Sequence, residues 1–320
     1  MGHANHDTAL LDRAAGVVLG GAIGDALGAG YEFAAAPRPE DVTMLPGTLT
    51  GAPAGYWTDD TAMAIAVLEA AAKRGTLITA ESLAAVGDGF LRWYNSGPSD
   101  IGIHTSAVLS RAASGSALHL AARVVQSADP TSASNGSLMR TGPVALAHLG
   151  DPTRLKSAAI AVSALTHAHQ EAIEACVLWT AAIDHAVRTG KLSGPRVGLC
   201  LIDEPRRAHW EQKITDAERK DPLTFSSNGY VVTALQAAWS AIYATQGSSE
   251  HFKDGLCQAV AIGNDTDTVA AIAGYLLGGC YGESAMPSGW ITGLAGWPET
   301  YDAKELTRLA RLAVLKDERS

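Results

Sequence analysis

The chain has 320 residues and a formal net charge of −9, a balance that argues against a nonspecific nucleic-acid binder, which needs cationic stripes. It is 47% hydrophobic but only 6% aromatic, with 33 glycines, a composition suited to close-packed helices rather than a β-sandwich. The four cysteines, Cys176, Cys200, Cys257 and Cys280, form no C-x-x-C pair, so a zinc or redox motif is not indicated and buried free thiols are expected.

The polar start Met1–Asp7 does not read as a signal peptide, and no apolar run approaches the ~18 residues of a membrane span. A cytoplasmic protein without membrane contact is therefore expected. From Leu10 to Ala29 a helix is predicted that carries Gly16, Gly20, Gly21 and Gly24, residues that keep it weak unless neighbours bury it. Asp25 and Glu32 on or after such a run should be paired or at an edge. Residues 37–55 read as loop.

At Trp57-Thr58-Asp59-Asp60-Thr61 a turn opens onto an Ala-rich helix ending near Lys73-Arg74, with Gly75 as the stop. Thr58 or Asp59 should cap it, with Asp59 and Asp60 in its first turn. Further helices are predicted over Glu81–Asn95, Thr105–Ala113, Thr153–Leu165, Gln170–Thr189, Gly229–Thr245 and Lys304–Lys316. The polar stretch at about 193–228 reads as an excursion from the core, anchored by Trp210 and Phe225. The Gly274–Gly278 spacing suggests a close crossing of two helices. With no alternating strand pattern and no repeat, the fold class is all-α, in a single domain over 1–320.

Gly263-Asn264-Asp265-Thr266-Asp267-Thr268 is a second Asp/Thr turn opening onto an apolar helix. Either acidic cluster alone is an ordinary helix start. Together they supply hard oxygen ligands, and four aspartates in one place would repel each other without a cation. Mg²⁺ or Mn²⁺ suits such donors better than zinc. The i, i+2 spacing of Asp265 and Asp267 in a non-helical turn would let both carboxylates face one ion.

Five motifs then occur in order: Gly24-Asp25-Ala26-Leu27-Gly28 with Glu32, Trp57–Thr61, Asn135-Gly136-Ser137-Leu138-Met139-Arg140, Thr166-His167-Ala168-His169, and Gly263–Thr268. In this set, spanning about residues 10–282, the chain resembles the ADP-ribosylglycohydrolase family. The resemblance implies an all-α fold with a binuclear centre of two divalent cations, Mg²⁺ or Mn²⁺. It puts Thr58, Asp59, Asp60, Asp265, Asp267 and Thr268 in the metal-ligand roles, with Asp267 bridging. Glu32 matches an acid beside the metals, and Glu32, Asp60 and Asp265 are the candidate catalytic carboxylates.

The same resemblance makes Asn135, Gly136, Ser137 and Met139 the loop around the distal ribose and diphosphate, and His167 a ribose-pocket residue. Gly229 and Tyr230 fall at the adenosine end, and Asp100 on a loop over the cleft, where it would meet the modified side chain. The implied activity is metal-assisted hydrolysis of an ADP-ribosyl bond, with an ADP-ribosylated protein as partner and ADP-ribose as product. An arginine linkage is the first expectation. Ile103-His104 depart from the arginine-specific pattern, which often has another acid nearby, so serine, nucleic-acid or small-molecule linkages and a non-catalytic ADP-ribose binder stay open. An isoprenoid synthase is excluded, because Met63 stands where an Asp-Asp-x-x-Asp motif needs its third acid.

Overall fold

A computed structural model describes residues 2–317, and the side chains of residues 8–315. The polar start Met1–Asp7 and the Lys316 side chain lie outside the described side chains. Helices dominate: α1 (Gly2–Gly28), α2 (Asp59–Arg74), α3 (Ala80–Asn95), α4 (Ile103–Leu109), α5 (Leu118–Ala128), α6 (Gly142–Leu146) and α7 (Pro152–Ser163). After these come α8 (Gln170–Thr189), α9 (Glu204–Arg219), α10 (Val231–Thr245), α11 (His251–Ala261), α12 (Thr266–Tyr281), α13 (Ser288–Thr292) and α14 (Ala303–Asp317). Among the described residues the only β pairing is three isolated bridges, so the fold is all-α.

The centre of the molecule is the antiparallel pair α1 and α12, which touch backbone to backbone. A Cβ added at Gly16, Gly20 or Gly24 would stand 2.3, 2.2 or 2.1 Å from the carbonyl oxygen of Gly278, Gly274 or Ala270. One at Gly28 would stand 2.3 Å from the Asp267 Cα. Residues four apart share a helix face, so these glycines form one smooth stripe. They let α1 run down α12 until Asp25 and Asp267 are neighbours. The expected close crossing at Gly274 and Gly278 is this contact.

Local signals set many of the helix ends. Gly75 adopts φ +69° and returns its N–H to the Ala71 carbonyl at 2.9 Å, closing α2. Thr79 and Ser82 form a capping box on α3. In the polar region, α9 buries Trp210, whose indole N–H donates to Glu174 on α8 at 2.7 Å, and Phe225 is buried beyond it. All four cysteines are unpaired thiols; three are buried, but Cys200 is exposed, contrary to the expectation for it.

Candidate active site

The C-terminal end of α1 and the N-terminal ends of α2 and α12 meet at one point. Asp25 Oδ1 accepts from the Thr58 backbone N–H and hydroxyl, both at 2.8 Å. Its Oδ2 accepts from the Thr61 N–H at 2.9 Å and the Thr61 hydroxyl at 2.6 Å. The first turn of α2 is thus capped by another helix. Thr58 does sit at the N-cap position, but its side chain makes no cap bond because its hydroxyl is committed to Asp25. That hydroxyl oxygen also lies 3.3 Å from Asp60 Oδ2 and from Asp267 Oδ2.

Two groups of acids share Asp267. Asp25, Asp60 and Asp267 bring carboxylate oxygens within 4.8 Å of one another, and so do Glu32, Asp100 and Asp267. Asp265 and Asp267 do not share a non-helical turn: Asp265 is the N-cap of α12 and Asp267 lies in its first turn. Both line the same cleft; Asp267 groups with Asp25 and Asp60, and Asp265 accepts from the Asn135 amide.

Burial and mutual repulsion dominate the electrostatics. Burial, then the charges of Asp100, Asp265 and Asp59, pushes the Glu32 carboxyl up to about 9. Burial raises Asp25 only to about 6, because its four hydrogen bonds oppose the shift. Asp59, Asp60 and Asp267 all lie well above the ordinary carboxylate range, through burial first and neighbouring acids second. Asp60 Oδ1 is buried with no hydrogen-bond partner. An orphaned carboxylate oxygen among crowded, hard-oxygen donors fits a hard divalent cation.

Above the acids lies a cleft of about 620 Å³. Glu32, Asp59, Asp100, Asp265, Asp267 and Thr268 form its acidic side, facing Asn135, Gly136 and Met139. The Asn135 amide donates to Asp265 Oδ2 at 2.6 Å and to the Asn228 carbonyl at 2.9 Å. Asn228 is fully buried; its Oδ1 accepts from the Asp265 N–H at 3.1 Å and its amide donates to the Gly263 carbonyl at 3.0 Å. This residue ties the two loops together and was read from sequence only as the end of the polar stretch at about 193–228.

Other expected site residues are nearby without lining the cleft. Ser137 is buried, its hydroxyl 3.0 Å from that of Ser163 and 3.5 Å from the Cys176 sulfur. His167 sits behind Gly136, bonded through Nε2 to the Ser134 hydroxyl (2.9 Å) and through Nδ1 to the Thr166 hydroxyl (2.7 Å). A side chain at position 136 would stand 2.9 Å from the His167 ring, so glycine lets the loop rest on it. His104, stacked on His167 at 4.6 Å, is the histidine that faces the cleft, with Ile103 at its mouth. Gly229 lines the cleft, whereas Tyr230 lies outside the lining and donates its hydroxyl to Glu171.

Beneath the Asn135–Arg140 turn, Arg140 is completely buried. It donates to the Gly136 carbonyl at 3.1 Å and the Thr166 hydroxyl at 2.6 Å, and lies 4.4 Å from the centre of the Phe90 ring. Burial lowers its pKa to about 10, which leaves it charged at neutral pH. The loop is thereby fixed from below while its upper face stays open to the cleft.

Residues 6–320 match the family model described as ADP-ribosylglycohydrolase, and the chain belongs to that family. It is 32% identical to the ADP-ribosylarginine hydrolase Tri1 of Pseudomonas putida, over 89% of this chain and 75% of that protein. It is 30% identical to the ADP-ribosyl-[dinitrogen reductase] glycohydrolase of Rhodospirillum rubrum, over 95% and 97% of the two chains. A solved structure titled ADP-ribosylglycohydrolase-related protein complex is similar with a TM-score of 0.75 and 29% identity, covering 97% of this chain and 99% of its own. No helix among the described residues is long and apolar enough to cross a membrane.

Proposed function

We propose that the protein releases ADP-ribose from ADP-ribosylated arginine on protein targets, using two divalent cations, Mg²⁺ or Mn²⁺. The observation that carries this reading is the meeting of Asp60 and Asp267, 207 positions apart by their numbers, beside an orphaned carboxylate oxygen and under a cleft of nucleotide size. Thr58, Asp59, Asp60, Asp265, Asp267 and Thr268 would hold the cations, and Asp25 is positioned to orient Thr58. The cations would supply positive charge for ribose hydroxyls and for charge that develops during cleavage.

The remaining steps belong to this chain's own residues. Asn135, Gly136 and Met139 line the side of the cleft that would hold the ribose and diphosphate. Glu32, with its raised affinity for a proton, is suited to move one between water and the leaving nitrogen as the ribosyl C–N bond breaks. Asp60 and Asp265 are the alternative carboxylates for that work. Asp100, with a carboxylate oxygen within 4.8 Å of one of Glu32, stands where a guanidinium would be welcome. The arginine reading is also supported by the similarity to the ADP-ribosylarginine hydrolase of Pseudomonas putida. Scoring ADP-ribose released from ADP-ribosyl-arginine, ADP-ribosyl-serine and ADP-ribosylated nucleic acid tests it. Preferential turnover of the arginine conjugate is expected, and turnover of the serine conjugate alone would overturn the linkage.

A further inference from the structure

A second cavity, of about 640 Å³, adjoins the first. Asp59 and Asp100 line both, so the two spaces meet at the acidic floor. Its own walls come from three separate segments: Tyr56 and Trp57 before α2, Trp93 near the end of α3, and Trp297 with Glu299 in the connection before α14. Three carboxylates and four large aromatic side chains line it, and none of its lining residues is Lys, Arg or His.

The far wall is held in place before any ligand arrives. The Trp57 backbone N–H donates to the Ala295 carbonyl at 2.8 Å, and the Ala295 N–H donates to the Gly55 carbonyl at 3.1 Å. The Trp57 indole N–H donates to the Trp297 carbonyl at 2.9 Å. Gly296 lies so close to the indole that a Cβ there would stand 2.2 Å from Nε1. The aromatic wall is thus tied directly to the turn that carries Asp59 and Asp60. Glu299 and Tyr56 line the same cavity.

We propose that this second cavity is the leaving-group subsite, taking the modified arginine with neighbouring residues of a cation-bearing peptide. The inference rests on the ADP-ribosyl-arginine reading above. If the first cleft takes ADP-ribose, the bond to be cut lies beside Asp59 and Asp100, and what is attached beyond it must enter the space on their other side. Aromatic faces and carboxylates attract a guanidinium, and a cavity lined by one sign of charge selects for the opposite sign. The volume is within the range that encloses a drug-sized ligand, so it has room for more than a guanidinium group.

The test uses the full chain with Mn²⁺ and ADP-ribose present, and follows tryptophan fluorescence as a short glycine-flanked arginine peptide or its citrulline counterpart is added. The arginine peptide should bind about fivefold more tightly, and Glu299→Gln or Trp297→Ala should each remove most of that preference. In kinetics, Glu299→Gln should raise the KM of an ADP-ribosyl-arginine peptide more than that of free ADP-ribosyl-arginine. Equal binding of the two peptides by the unaltered protein, or full preference retained in both variants, overturns the subsite. Discrimination between the peptides without any cleavage of ADP-ribosyl-arginine would sink the linkage reading and leave the subsite standing. Cleavage without discrimination would do the reverse.

Discussion

Asp25 holds Thr61 by two bonds, 2.9 Å from its backbone N–H and 2.6 Å from its hydroxyl, so the carboxylate of one helix starts another. Thr58 is bound to the other oxygen in the same way, which fixes the turn bearing Asp59 and Asp60 against α1. The acidic floor inherits its geometry from this joint.

Asp25→Asn leaves one acceptor oxygen for four donors. Loss of the other oxygen should cost about 2 kcal/mol, and the misplaced turn should lower kcat/KM about 100-fold. Thermal melting and steady-state kinetics read the two effects. A variant with both values unchanged would remove Asp25 from the site's framework.

Gly20→Ala sets two effects against each other. Alanine favours a helix over glycine by about 1 kcal/mol. Here its methyl would stand 2.2 Å from the Gly274 carbonyl oxygen, backbone that cannot swing aside. The collision should win, costing about 2 kcal/mol net and weakening cation binding by parting Asp25 from Asp267. Gly247→Ala, which meets nothing within 4 Å, is the matched control and should melt like the unaltered protein. Equal melting temperatures for the two variants would contradict the packing of α1 on α12.

His148 predicts an acid limit to stability. Its ring is fully buried and its Nε2 accepts from the Leu77 N–H at 3.1 Å, a role that a protonated nitrogen cannot fill. Burial, then the charge of Arg154, lowers its pKa from 6.5 to about 4. The folded state therefore binds this proton less readily than the unfolded chain. Its contribution is complete above about pH 6.5 and is lost as the pH falls towards 4, by up to about 3 kcal/mol. Melting curves of the cation-loaded protein should fall through this window, and those of His148→Gln should fall less steeply. Parallel curves would assign the acid limit to other groups.

What the sequence revealed and what it hid have physical causes. The turns at Thr58–Asp60 and Asp265–Thr268 were legible because a helix start is a local signal, as were Gly75 as a stop and α8 at both ends. Asp25 was not legible as a cap, since its partners belong to another helix. Helix α5 escaped because Leu120 and Val124 point to solvent and blur its apolar face. Helix α11 has a glycine, Gly255, in its interior. His104 lines the cleft in place of the expected His167 for a similar reason: which of two neighbouring rings faces a cleft depends on packing, not on spacing. The wall formed by Trp297 and Glu299 carries no motif, and its place beside Asp59 comes from backbone pairing at Ala295.

The central claim is that Asp60 and Asp267 hold cations together. Calorimetric titration of Mn²⁺ into chelator-treated protein, with ADP-ribosyl-arginine turnover followed in the same samples, tests it most directly. The unaltered protein should bind two ions and regain activity, while Asp60→Ala and Asp267→Ala stay folded and helical but lose a binding event and turnover. Full activity after chelation, or in either variant, would contradict the account.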